Sequence, residues 1–133
     1  MSTHLSEQLM DAACKGHTGI IRKLIAAGAD PNYRNEQVNT PLMWAVTHRH
    51  IDAAQVLLES GADVNGQDVL GGTALIVAAS NGDLPMLKML LRAGADVRLR
   101  DHDGNTALVW ATHNRHVEAA RLLQDWHSAH GAR

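Results

Sequence analysis

Nine histidines and one cysteine are the residues with the widest chemical reach in this 133-residue chain. Cys14 and His17 stand three residues apart. On a helix that spacing brings thiol and imidazole together, and an imidazolium there lowers a thiol pKa. His113 with His116, and His127 with His130, repeat the spacing, and His48 with His50 forms another cluster. Two imidazoles so placed can bind a transition metal, but a structural zinc site wants four ligands. No cysteine or acidic partner at ligand spacing completes any of them, so no metal site is expected. The single cysteine also excludes an intrachain disulfide. Asp101-His102-Asp103 reads as a solvated turn tip, where aspartate bonds its own backbone. No phosphate loop, dinucleotide fingerprint, paired-carboxylate motif or Ser-His-Asp ordering is present. The expectation is a chain that is not an enzyme and carries no cofactor.

Composition points the same way. Hydrophobic residues make up 45% and charged residues 20%, too apolar for a disordered chain. There is no Phe, one Tyr and three Trp. Alanine and leucine therefore fill the core, which favours small, closely packed helices. A net charge of −2 provides no field to attract nucleic acid or anionic lipid. The longest strictly apolar run, Ala74 to Ala79, is far below the ~20 residues of a membrane span. Lys15 and His17 interrupt the N-terminal stretch, leaving no signal-peptide core. A cytoplasmic, single-domain protein, monomeric by itself, is expected over residues 1–133.

The elements that must position these residues repeat. Gly28-Ala29-Asp30 recurs as Gly61-Ala62-Asp63 and Gly94-Ala95-Asp96, each 33 residues on. Thr40-Pro41-Leu42 recurs as Thr73-Ala74-Leu75 and Thr106-Ala107-Leu108. Leu24, Leu57, Leu90 and Leu123 form another series, and Ala12, Ala45, Ala78 and Ala111 a further one. Four units follow, at about 5–35, 36–68, 69–101 and 102–133. In each, a threonine caps a short first helix, which runs to about His48, Asn81 or Asn114. Pro41 sits at a first helical position, where a missing N–H costs nothing. A second helix such as Ile51 to Ser60 ends at the Gly-Ala-Asp stop. In the first unit Ser6 is the expected cap; in the last, Gln124-Asp125-Trp126-His127 replaces the stop, so the helix runs on with Trp126 as a lid. One unit cannot bury its apolar face alone, and stacking the four makes one core. Units two apart lie roughly 20 Å apart, so His48 and His113 cannot meet.

Thr-Pro-Leu, Gly16-His17, Leu57-Leu58 and Gly61-Ala62-Asp63-Val64-Asn65 together resemble the ankyrin repeat over nearly the whole chain. The resemblance implies an all-α solenoid of helix-turn-helix units with three β-hairpin-like finger loops. It also implies protein–protein interaction through the concave face and fingers. Two positions depart from the family pattern. Met43, Ile76 and Val109 replace the usual histidine, which predicts a drier seam between repeats. Val38 occupies the position of Gly71 and Gly104, where a positive-φ turn is costly for valine.

The scaffold repeats while other positions vary, and the varying ones are the candidate partner contacts. They are Tyr33, Glu36, Gln37 and Asn39 in the first finger, Val69 and Leu70 in the second, and Leu99, His102, Asp103 and Asn105 in the third. On the first helices they are Thr47, His48, Ser80, Asn81, His113 and Asn114, with Trp44 and Trp110 either at the edge of the concave face or filling space between repeats. Val69-Leu70 is the most informative pair, because two apolar residues on a tip serve no fold purpose. His17, His50 and His116 recur at the inter-helix turn and read as scaffold. The partner is another protein, with an inhibitor or immunity-type role toward a toxin or enzyme as the alternative; a His/Cys metal or catalytic protein is a remoter one.

Overall fold

A computed structural model describes residues 2–130. Eight helices run along them in four pairs: α1 (Ser2–Lys15) and α2 (Thr18–Ala26), α3 (Pro41–Thr47) and α4 (Ile51–Glu59), α5 (Ala74–Asn81) and α6 (Leu84–Arg92), α7 (Ala107–His113) and α8 (Val117–His130). First helices stack on first helices and second on second, giving an all-α solenoid.

The threonines start the first helices as expected. Thr40, Thr73 and Thr106 accept hydrogen bonds from the backbone N–H groups of Met43, Ile76 and Val109 at 3.3, 3.2 and 3.3 Å. Each such cap contributes about 1 kcal/mol, but helices of seven or eight residues are too short to persist alone. Packing holds them. Ala45, Ala78 and Ala111 are fully buried, and their small size lets neighbouring first helices approach closely. Leu57 and Leu90 are both 0% exposed. Leu24 is only half-buried. Met43 and Ile76 are buried in the seams that the family's histidine usually occupies, and Val109 is exposed.

Ser6 departs from its expected role. The first helix begins at Ser2, which leaves Ser6 inside it rather than at its cap. The hydroxyl is buried and accepts from the Asp30 backbone N–H at 3.1 Å, tying the end of the first unit to α1. At the other end α8 continues past the position of the glycine stop, and Trp126 packs against the core.

Each finger is a tight loop closed by two backbone hydrogen bonds, with no strand among the described residues. The N–H groups of Asn35, Asp68 and Asp101 donate to the O of Asn39, Gly72 and Asn105, and the N–H groups of Val38, Gly71 and Gly104 donate back to the O of Asn35, Asp68 and Asp101. The side-chain Oδ1 of the first residue accepts two further N–H groups in every finger. Gly71 and Gly104 take positive φ, and Val38 takes it too, at 63°. The closing bonds and the Asn35 side chain hold valine in a region that its branched Cβ disfavours.

Amide side chains join consecutive units. Asn32 donates to Gly61 O at 3.0 Å and accepts from the Asp63 N–H at 2.7 Å, and Asn65 repeats the pattern toward Gly94 and Asp96. At the inter-helix turns the joints alternate. A Cβ on Gly16 would stand 2.6 Å from Nδ1 of His50, and one on Gly82 would stand 2.5 Å from Nδ1 of His116. Between them Arg49 takes the glycine position at φ 62°, and Asp83 stands where the next imidazole would be. The Asp83 carboxylate accepts from the N–H of Met86 in its own helix. Arg49 reaches into the next unit and donates to Asn81 O at 3.0 Å.

Candidate functional site

Two pockets open on the face made by the first helices and the fingers. The larger, about 410 Å³, lies between the second and third fingers. Ile76, Val77 and Trp110 give it an apolar floor, Leu70 overhangs it, and Ser80 and Asn81 close one end. Asp68, Asp101 and Asp103 stand at its finger side. The smaller, about 290 Å³, lies between α1, the first finger and α3, lined by Glu7, Met10, Asp11, Cys14, Tyr33, Asn35 and Trp44.

The middle of the larger pocket is rigidly placed. The His102 N–H donates to Leu70 O at 2.9 Å, binding the second finger to the third. That approach requires Gly71, since a Cβ there would fall 2.9 Å from His102 N. Asp101 is the hub rather than a solvated tip residue. It accepts from Asn105 N–H, from Asp103 N–H and from the Trp110 indole N–H, the last at 2.8 Å. The Asn105 backbone hydrogen bond comes first among the causes that hold the Asp101 carboxyl below its ordinary pKa, followed by the Trp110 bond. The indole is thereby fixed with one face toward the groove.

The histidine pairs do not assemble as ligand sets. Each tryptophan instead carries a histidine against its ring. His48 stacks on Trp44 with centroids 5.7 Å apart, His113 meets Trp110 edge-on at 6.3 Å, and His130 stacks on Trp126 at 4.1 Å. No group of three or more His, Cys, Asp or Glu suited to a metal ion occurs among the described residues. His50 and His116 pack over the glycines of the preceding turns, and His116 Nε2 lies 3.0 Å from Ser80 O. No helix among the described residues is long and apolar enough to cross a membrane.

A family model described as ankyrin repeats in many copies matches residues 9–58 and 43–91, and a single ankyrin repeat matches residues 103–130. The chain is an ankyrin-repeat protein. No curated protein matches it. Ankyrin repeats are generally non-catalytic and serve as protein–protein interaction modules.

In this ankyrin-repeat protein the expected contact residues divide. Leu70, Ser80, Asn81, His102, Asp103 and Trp110 meet in the larger pocket, and Tyr33 and Trp44 in the smaller. Glu36, Gln37, Thr47, His48, Val69 and His113 are exposed outside both, and Leu99 and Asn105 are half-buried outside them. Asn39 and Asn114 are half-buried and engaged in the scaffold. The Asn39 N–H donates to Asn35 Oδ1, and the Asn114 amide donates to both Ser80 O and Ser80 Oγ at 3.0 Å. Trp44 and Trp110 are each half-buried, packing on the core while lining a pocket.

Sequence reasoning missed the α1 wall, namely Glu7, Met10, Asp11 and Cys14, by treating the first unit as a cap. The signal was available. Cys14 shares its repeat position with Thr47, Ser80 and His113, all of which varied enough to be singled out.

Proposed function

We propose that this protein binds a protein partner across the face formed by its first helices and fingers, with the larger pocket at its centre. One observation carries the reading: Leu70 is 70% exposed, directly beside an apolar-floored pocket, on a finger whose position is fixed by the backbone bond to His102. An apolar side chain held rigidly in water beside a concave apolar surface supports a contact surface rather than a folding role. Rigid placement also limits the ordering cost of association.

Changing Val69 and Leu70 together to serine tests it. Both lie outside the stacked core, so melting temperature should not move. Affinity for a partner recovered from native lysate should fall at least tenfold, about 1.4 kcal/mol. The control is a double change at Glu59 and Arg92, both exposed on second helices at the opposite face. Loss of binding in the control alone would place the partner on the second-helix face and sink the reading.

A further inference from the structure

The two pockets are built from equivalent positions 66 residues apart. Met10 answers to Ile76, Cys14 to Ser80, and Trp44 to Trp110. Asn35 and Asp101 are likewise equivalent, and each is the hub of its own finger. One apolar-floored, tryptophan-walled pocket is thus repeated two units along the solenoid. At ~10 Å per layer the two lie about 20 Å apart. On the intervening α3, Met43 is buried at the position of Met10 and Ile76, and Thr47 and His48 are exposed. A docked helix needs a continuous apolar stripe to lie on, and this face presents two separate sockets instead.

Charge is distributed unevenly around them. The linings hold Glu7 and Asp11 in one pocket and Asp68, Asp101 and Asp103 in the other, with no lysine or arginine in either. Only Asp11 of these is ion-paired among the described residues, to the exposed Lys15 at 3.2 Å. The groove between α4 and α6 on the opposite side holds both signs, Lys88 and Arg92 with Glu59.

We propose that the face takes an extended, basic segment of the partner, which seats one large apolar side chain in each pocket, six residues apart. This rests on the binding face proposed above. An extended chain advances ~3.3 Å per residue, so six residues cover the ~20 Å between sockets. Its period of two turns the first and seventh side chains to the same side. Lysine or arginine at the intervening positions of the same face, two residues from each apolar side chain, meets the carboxylates, which gives register and a faster encounter.

Synthetic peptides with leucine at the first and seventh positions, lysine at the third and fifth on the same face and serine between, provide the probe. Calorimetry and tryptophan fluorescence read their binding to the full chain. A leucine spacing of three, or glutamate in place of lysine, should weaken binding at least tenfold. Alkylating Cys14 with a bulky maleimide fills the smaller pocket, and L70S with D103K alters the larger. Each should reduce the two-leucine peptide to the affinity of a one-leucine peptide, with the helical circular dichroism unchanged. If alkylation perturbs that signal, E7K at the exposed rim makes the same comparison. Equal binding by the glutamate peptide, tighter binding by a helical peptide with leucines fourteen apart, which span about 21 Å, or indifference to the smaller pocket would overturn the proposal. A lysate partner that depends on Val69 and Leu70 while these peptides neither bind nor compete overturns it and leaves the binding face standing. A partner indifferent to Val69 and Leu70 removes the binding face itself.

Discussion

The stacked interior and the fingers arise from the same 33-residue unit, yet they obey different constraints. In the interior a set of positions recurs from layer to layer, as Ala45, Ala78 and Ala111 do, while others change size, as Ala53 and Met86 do. Leu57 and Leu90 hold one register and are equally buried. In the fingers the hub recurs as Asn35, Asp68 and Asp101 and Gly71 is matched by Gly104, while the tip residues differ from loop to loop. A repeat can therefore vary wherever the chain faces water, provided one side chain at the base closes the loop. This separates stability from recognition along a single short segment.

The largest effect that would sharpen this contrast is in the interior. Leu57→Ala or Leu90→Ala leaves a cavity between layers and should cost about 2–5 kcal/mol. A denaturant midpoint shifted by less than a quarter of that would contradict the assigned packing. A joint between repeats should respond next. Gly82→Ala puts a Cβ at φ 67° and 2.5 Å from the His116 ring, and should cost about 1–3 kcal/mol. Gly104→Ala meets nothing within 4 Å and isolates the backbone part of that cost. If the two variants melt together, the imidazole yields freely and the joint is softer than described. The smallest effect lies in the first finger and has the opposite sign. Val38→Gly relieves a branched residue at φ 63° but frees the unfolded chain, so a net gain of about 0.5–1 kcal/mol is expected. A loss of stability would mean that the half-buried valine packs more than it strains.

The interior was legible because burial imposes periodicity. The threonine caps, the glycine stops and the leucine and alanine series all repeat at the interval that the layers demand. Ser6 is not a cap because Glu7 stands at the repeat's threonine position in this unit, and the helix start at Ser2 is not set by that cap. The groove was only partly legible. Leu70 and Asp103 stand out by departing from the pattern, whereas Met10 and Ile76 share an apolar repeat position and become a surface only when neighbouring layers leave space between them. The turn at Asp101, with the carboxylate bonded to its own backbone, is legible from the Asp-His-Asp run. Its bond to Trp110 joins residues nine apart across a loop and a helix, which local patterning does not encode.

The alternating joints bear on how such a chain can lengthen. Gly16 lies beneath His50 and Gly82 beneath His116, while Arg49 faces a unit that carries Asp83. Copying residues 36–101 in tandem sets Gly82 beneath a second His50, so every imidazole keeps a glycine beneath it. Copying residues 36–68 alone sets Arg49 against an imidazole, where a Cβ finds 2.6 Å of room at the equivalent Gly16 joint. The units thus have a grammar in which the permitted word is a pair. The longer chain from the tandem pair should melt above the one from the single copy, and the reverse order would show that any unit can follow any other.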